Sequence, residues 1–288
     1  MSIAFTLNTI VVATDLAGQS EAALEYARKI ATAYGARIVL AHGLDPVEYA
    51  AVKSVPGQVL ENLTDHARAA LDAMAGDLIR EGIHSHSEIR QGAVAQMLVE
   101  VAKKYEAGLI VIGTKGAEGA GPVAVGAIAE QLVRISPCAV MAVAADWNAG
   151  PFRPTPGGPV LLAIERNEAM EAAAATACSL AKTFERPLLV LHARQDENST
   201  TLEEFGLCNC GEYPVSLLAK EGDPVDAIAA AIEEYRPCIL VTGGKRASET
   251  PGPNSTTLAL LVRSRVPVMC VPPPTAVSAN QPEAFQSA

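Results

Sequence analysis

Three glycines at a set spacing carry the strongest chemical signal in this 288-residue chain: Gly113-Thr-Lys-Gly116, then nine residues, then Gly126-Ala127. Glycine lets a backbone approach a ligand closely. A helix opening at Gly126 aims unpaired N–H groups and a positive dipole end at an anion. The apolar run Leu109-Ile-Val-Ile112 delivers the chain to this loop and reads as a strand. Open α/β sheets bind ligands at such strand ends. Asp15 follows another apolar run, Ile10–Ala13, and is expected on the same edge, where it would accept hydrogen bonds from a base or a ribose.

Other chemically capable residues have plainer readings. Lys115 and Lys245 stand in polar loops and are read as solvated. Cys208-Asn-Cys210, even with His192, lacks the two-to-four-residue gap and second ligand pair of a structural zinc site, so no metal is expected. His42 and His192 are read as fillers at matched strand ends, and His84 and His86 follow a helix end. Ser20 is read as a surface or helix-start residue, not a nucleophile, since no Gly-x-Ser-x-Gly elbow accompanies it. The absence of a Gly-x4-Gly-Lys-Ser/Thr loop disfavours a P-loop hydrolase, and no catalytic residue is assigned.

The elements that position these residues occur twice. Thr9-Ile-Val-Val-Ala-Thr-Asp15 is echoed by Pro159-Val-Leu-Leu-Ala-Ile-Glu165, an offset of 150. By Gly92 and Gly222 the offset is 130, so the second copy lacks 20 residues in between. After the glycine loop, Val133-Arg134 against Val262-Arg263 gives 129. Strands are expected at Ile10–Ala13, Arg37–Ala41, Ser87–Arg90, Leu109–Ile112 and Ala139–Ala144, with helices at Ser20–Tyr34, Gln58–Glu81, Val94–Tyr105 and Gly126–Ile135. Apolar strands alternating with helices imply a mostly parallel sheet covered on both faces. The domains are read as 1–147 and 158–274, with a Pro/Gly-rich linker at 148–157 and a flexible tail at 275–288.

Composition bounds the function. Hydrophobic residues reach 49% and charged ones only 19%, enough apolar material for two cores. A net charge of −10 argues against nucleic acid and anionic membrane surfaces as partners. No apolar run is long enough to span a bilayer, and Met1–Ile10 does not resemble a secretory signal, so a cytoplasmic location is expected. The six cysteines are expected as reduced, mostly buried thiols.

The Gly-x2-Gly-x9-Gly loop, the Val11-Val-Ala-Thr-Asp15 opening and the segment Ala129-Glu-Gln-Leu-Val-Arg-Ile-Ser-Pro-Cys-Ala-Val together resemble the universal stress proteins, over nearly the whole chain as two tandem copies. The resemblance implies two open-sheet α/β domains of the Rossmann-like, adenine nucleotide alpha hydrolase-like type, joined as an intramolecular pseudo-dimer through their last strands. It implies a cytoplasmic stress-response regulator that binds ATP with Mg2+ in its first domain and hydrolyses it slowly at most. It implies a homo-oligomer, a dimer of tandem chains. Ala13, Thr14 and Asp15 would line the base and ribose end, with Ala41 contacting adenine through its backbone. Gly113 and Gly116 would follow the ribose and first phosphate, and Gly126, Ala127 and Ile128 would hold the phosphates.

Two departures bear on this. Nucleotide-binding members carry Ser or Thr where this chain has Ala127, which removes a hydroxyl donor to a phosphate oxygen. The second copy has Arg246 and Ser255 at its second and third glycine positions, Pro251 and Pro253 in the loop, and Glu165 for Asp15. Its Ser255 and Thr256 are read as helix caps. Binding is therefore expected to be weakened in the first copy and lost in the second. The alternative is a nucleotide-independent interaction protein with both sites degenerate. The 20-residue loss is expected to leave one face of the second sheet thinly covered, for another surface to pack there.

Overall fold

Alternate burial builds the strands. In β1 (Thr9–Ala13), Ile10 and Val12 join the core on one side of the sheet and Val11 the core on the other, with all three fully buried. The computed structural model describes residues 5–16, 18, 20–44, 57–114, 127–147, 157–194, 201–205, 207, 213–244 and 256–274. The first half continues with α1 (Glu21–Tyr34), β2 (Arg37–Leu44), α2 (Gly57–Arg80), β3 (Ser85–Gln91), α3 (Val94–Lys104), β4 (Leu109–Thr114), α4 (Ala127–Ile135) and β5 (Ala139–Ala144). The second half holds β6 (Val160–Ala163), α5 (Met170–Phe184), β7 (Leu188–Arg194), β8 (Val215–Glu221), α6 (Pro224–Tyr235), β9 (Ile239–Gly243), α7 (Thr256–Arg263) and β10 (Val268–Val271).

One sheet of ten strands runs through both halves, in the order β3-β2-β1-β4-β5-β10-β9-β6-β7-β8. Every pairing is parallel except the central β5–β10. Buried residues of α1, α2 and α5 form the core on one face, and those of α3, α4, α6 and α7 the core on the other. The expected parallel α/β architecture and last-strand pairing are both present.

The junction has near twofold symmetry. Val268 faces Ala142, Met269 faces Met141 and Cys270 faces Val140. Ser136 and Ser264 make the same turn, each hydroxyl donating to the carbonyl two residues on, Cys138 O at 2.8 Å and Val266 O at 2.9 Å. The offset here is thus 128, not 129, and Met141 and Met269 are equivalent residues meeting on the pseudo-dyad. It follows that Ser255 matches Ala127, and Asn254 matches Gly126, in sequence. The two halves also touch through α1: the Tyr26 hydroxyl donates to Cys238 O at 2.8 Å, and Tyr34 Oη lies 3.0 Å from Ser179 Oγ.

The missing 20 residues leave a different picture from the one expected. A short 3-10 turn, Glu203–Phe205, fills the side where α2 stands in the first half. Phe205 and Leu207 are each only 2% exposed, and Val215 and Leu217 of β8 pack on the same core. Phe205 stacks against His192, centroids 5.3 Å apart, under the Arg166 guanidinium. Among the described residues, the large exposed apolar side chains are Ile79, Ile128 and Ile135, all in the first half. Among the described residues these two apolar side chains, set in a polar stretch, pack on that face.

A second expectation fails at a cysteine. Cys138, Cys238 and Cys270 are free thiols, but Cys178 on α5 is disulfide-bonded. The linker residues 148–156 and the tail 275–288 lie outside the described residues.

Candidate functional site

The ends of β2, β1 and β4 lie side by side, with Ala13 opposite Ala41 and Val12 opposite Val111. Their carboxyl ends therefore open on one edge. β4 and β5 are parallel, so α4 must run back between them and begin at this same edge. The edge gathers Ala13, Thr14, Asp15, Ala41 and Gly113, with Ala127 and Ile128 exposed at the start of α4. Gly116 and Gly126, and with them most of the glycine loop, lie outside the described residues.

Asp15 stands at the end of a directed chain of hydrogen bonds. The Ser20 hydroxyl donates to Asp15 Oδ1 at 2.6 Å. Having one proton, Ser20 must accept from Thr14, whose Oγ1 is 3.1 Å away. Thr14 Oγ1 in turn accepts from the Leu16 amide at 3.0 Å. Each donor polarises the next, and the chain holds an exposed carboxylate with polar groups that are themselves buried: Thr14 and Ser20 are both 6% exposed. Leu16 pays for this turn with a left-handed backbone, φ 57°, which a side chain with a Cβ resists.

His42 completes the edge. Its Nδ1 lies 2.8 Å from Thr14 O, and a carbonyl only accepts, so Nδ1 carries the proton. The neutral ring then has Nε2 as an acceptor. The Thr14 amide donates to Ala41 O at 2.9 Å, so that carbonyl already serves the sheet. Further along the edge, the Ala145 amide donates to Thr114 O at 3.0 Å. The next residue, Asp146, has a buried Oδ1 with no hydrogen-bond partner among the described residues.

Of the two readings of Ser20, the helix start holds and the surface does not: it caps α1 but is buried and bonded to Asp15. The reading of His42 as a filler misses its bond to Thr14. Both contacts join residues that a strand-and-helix pattern treats separately, one across a five-residue turn and one between strands. The only sequence signal was proximity of Ser20 to Asp15.

The corresponding edge of the second half is built differently. Ile164 replaces Thr14, keeping only the backbone bond from its amide to Leu191 O. Asn167 folds inward, its Oδ1 capping the Ala169 amide at 2.9 Å and lying 3.2 Å from where a Cβ on Gly243 would be. Residues of this half therefore occupy the space beside the first glycine. Lys245, Arg246 and Ser255 lie outside the described residues.

Residues 6–144 match the Universal stress protein family. A universal stress protein of Mycolicibacterium smegmatis is 30% identical over 193 residues, which is 64% of this chain and 63% of that one. Residues 6–144 are a universal stress protein domain. A universal stress protein of Methanocaldococcus jannaschii is 29% identical over 136 residues, 46% of this chain and 80% of its own. A crystal structure of a universal stress protein from Archaeoglobus fulgidus aligns over 93% of this chain and 99% of its own, with a TM-score of 0.79 at 19% identity. That likeness shows the shared two-half universal stress protein fold. The chain spans just under two thirds of the mycobacterial relative's length.

Proposed function

We propose that the strand-end edge of the first half binds an adenine nucleotide, ATP with Mg2+, and that the chain is a cytoplasmic stress-response regulator whose second half is structural. The observation that carries this reading is the buried Leu16–Thr14–Ser20 chain ending on the exposed Asp15 carboxylate, which is absent from the second half. A carboxylate held this way, beside the Nε2 acceptor of His42, suits the hydroxyls of a ribose or the amino group of a base. The orphaned Asp146 Oδ1 at the same edge also suits a ligand rich in donors. The start of α4 supplies backbone N–H groups for phosphates.

Among the described residues no group of three or more His, Cys, Asp or Glu side chains is arranged to hold a metal. The magnesium would therefore enter on the phosphates of the nucleotide. No described helix is long and apolar enough to cross a membrane. Calorimetric titration of the full chain with MgATP tests the reading. Saturable heat that Asp15→Asn diminishes supports it. No heat up to millimolar nucleotide rejects it and favours a nucleotide-independent interaction protein.

A further inference from the structure

We propose that the two ends of the ten-stranded sheet are complementary surfaces through which one copy of this chain docks on a second copy, the β3/α3 end of one meeting the β8/α6 end of the other. Strands β3 and β8 are the outermost strands of the sheet. At the offset of 130, Lys103-Lys-Tyr-Glu106 matches Glu233-Glu-Tyr-Arg236. The tyrosine is kept and all three charges are reversed. The two segments are equivalent in structure as well. Lys103 and Lys104 stand in the last turn of α3, as Glu233 and Glu234 stand in the last turn of α6. Glu106 and Arg236 both take a left-handed backbone, φ 50° and 44°. In each segment the three charged residues are exposed and the tyrosine is half-buried. Even the ion pair to the outer strand is inverted: Lys104 pairs with Glu88 of β3, and Glu234 pairs with Lys220 of β8 at 3.1 Å.

Within one chain the reversal brings no gain. The carboxyl end of a helix carries a partial negative charge, which favours Lys103 and Lys104 and disfavours Glu233 and Glu234. Lys103, Glu106, Glu233 and Arg236 make no ion pair among the described residues. Arg37 adds to the positive end, its guanidinium lying 5.7 Å from the centre of the Tyr105 ring, whereas its match in the second half is Pro187. A second copy supplies what each end lacks. Where unlike ends meet, Lys103 faces Glu233 of the partner subunit and Glu106 faces Arg236 of the partner subunit. Where like ends meet, lysine faces lysine or glutamate faces glutamate, and the contact is repelled. Exposed charges select and steer an association more than they strengthen it, and salt screens them. The contact is therefore weak, specific for unlike ends and sensitive to ionic strength. Identical halves could not make it, since every such segment would then meet its own charges.

The test is analytical ultracentrifugation of the full chain over a range of protein concentrations. In low salt, about 20 mM, the mean mass should rise with concentration, and the apparent dissociation constant should weaken at least about tenfold by about 500 mM salt. Two double variants then separate the ends. Lys103→Glu with Glu106→Arg gives both ends the second pattern, and Glu233→Lys with Arg236→Glu gives both ends the first. Neither alters Glu88, Lys104, Lys220 or Glu234, so both should keep the urea midpoint of the parent chain. Each variant alone should sediment as a single chain, and an equimolar mixture of the two should associate again. A single chain at every concentration in low salt overturns the proposal. So does an assembly that keeps its size at high salt, a double variant that associates alone as strongly as the parent, or a mixture that stays dissociated.

Discussion

Glu185 shows how a single position records the duplication. The helix α1 ends at Gly35 with φ 66°, and its repeat α5 ends at the matching Glu185 with φ 55°. Glycine enters this left-handed conformation freely, whereas a residue with a Cβ is opposed by roughly 1–2 kcal/mol. Glu185 is exposed and its side chain has no recorded role in the core, so Glu185→Gly should raise stability by about 1 kcal/mol, read as a higher urea midpoint at unchanged slope. Ala127 is the complementary case. The second half has Ser255 at the matching sequence position, so the hydroxyl missing from the first copy is retained in the second. If the first edge holds phosphates, Ala127→Ser adds a hydrogen bond to a charged group, on the order of 1.5 kcal/mol, and MgATP should bind about tenfold more tightly by titration.

Between elements, the exposed edge strand β3 is held to the end of α3 by one acid. Glu88 receives the Tyr105 hydroxyl at 2.6 Å and the Lys104 ammonium, with Arg90 at 3.5 Å. Burial raises the Glu88 pKa, but the hydrogen bonds from Lys104 and Tyr105 and the nearby positive charges outweigh it, and the net shift is downward from 4.5. A depressed carboxylate stabilises the fold above its unfolded pKa, and that contribution disappears as pH falls through the folded value. Glu88→Gln should therefore be destabilising at pH 7 and converge with the unsubstituted protein in denaturant melts as the pH falls through the folded value, below 4.5. Strand and helix order at this scale were legible from apolar periodicity: Gln58–Glu81 was expected as a helix and Gly57–Arg80 is one. The 129 offset was not, because Val133-Arg134 and Val262-Arg263 match by identity while the equal serine turns after them set the true register. Nor was the Ser20–Asp15 bond, since it joins the end of a strand to the cap of the next helix.

Over the whole molecule, the halves share one sheet and are clasped by α1. The single tryptophan, Trp147, lies just past β5, packs edge-on to Tyr26 at 5.3 Å and is capped by Lys29 at 4.5 Å. Tyr26 in turn bonds Cys238 O of the other half, so the indole senses the junction. Its fluorescence change on urea unfolding should coincide with loss of far-ultraviolet ellipticity in one transition. An earlier fluorescence transition would show the halves separating before either unfolds.

Joining the halves through β5 and β10 within one polypeptide frees them from identity. Two copies of a single gene product must carry every substitution on both sides of their axis, whereas here Thr14 and Ile164, or Ser20 and Met170, differ across the Met141–Met269 centre. The antiparallel seam also turns the two strand-end edges toward opposite poles of the sheet. Each pole can therefore diverge alone, one carrying the Ser20-bonded carboxylate of Asp15 and the other an asparagine folded beside its first glycine.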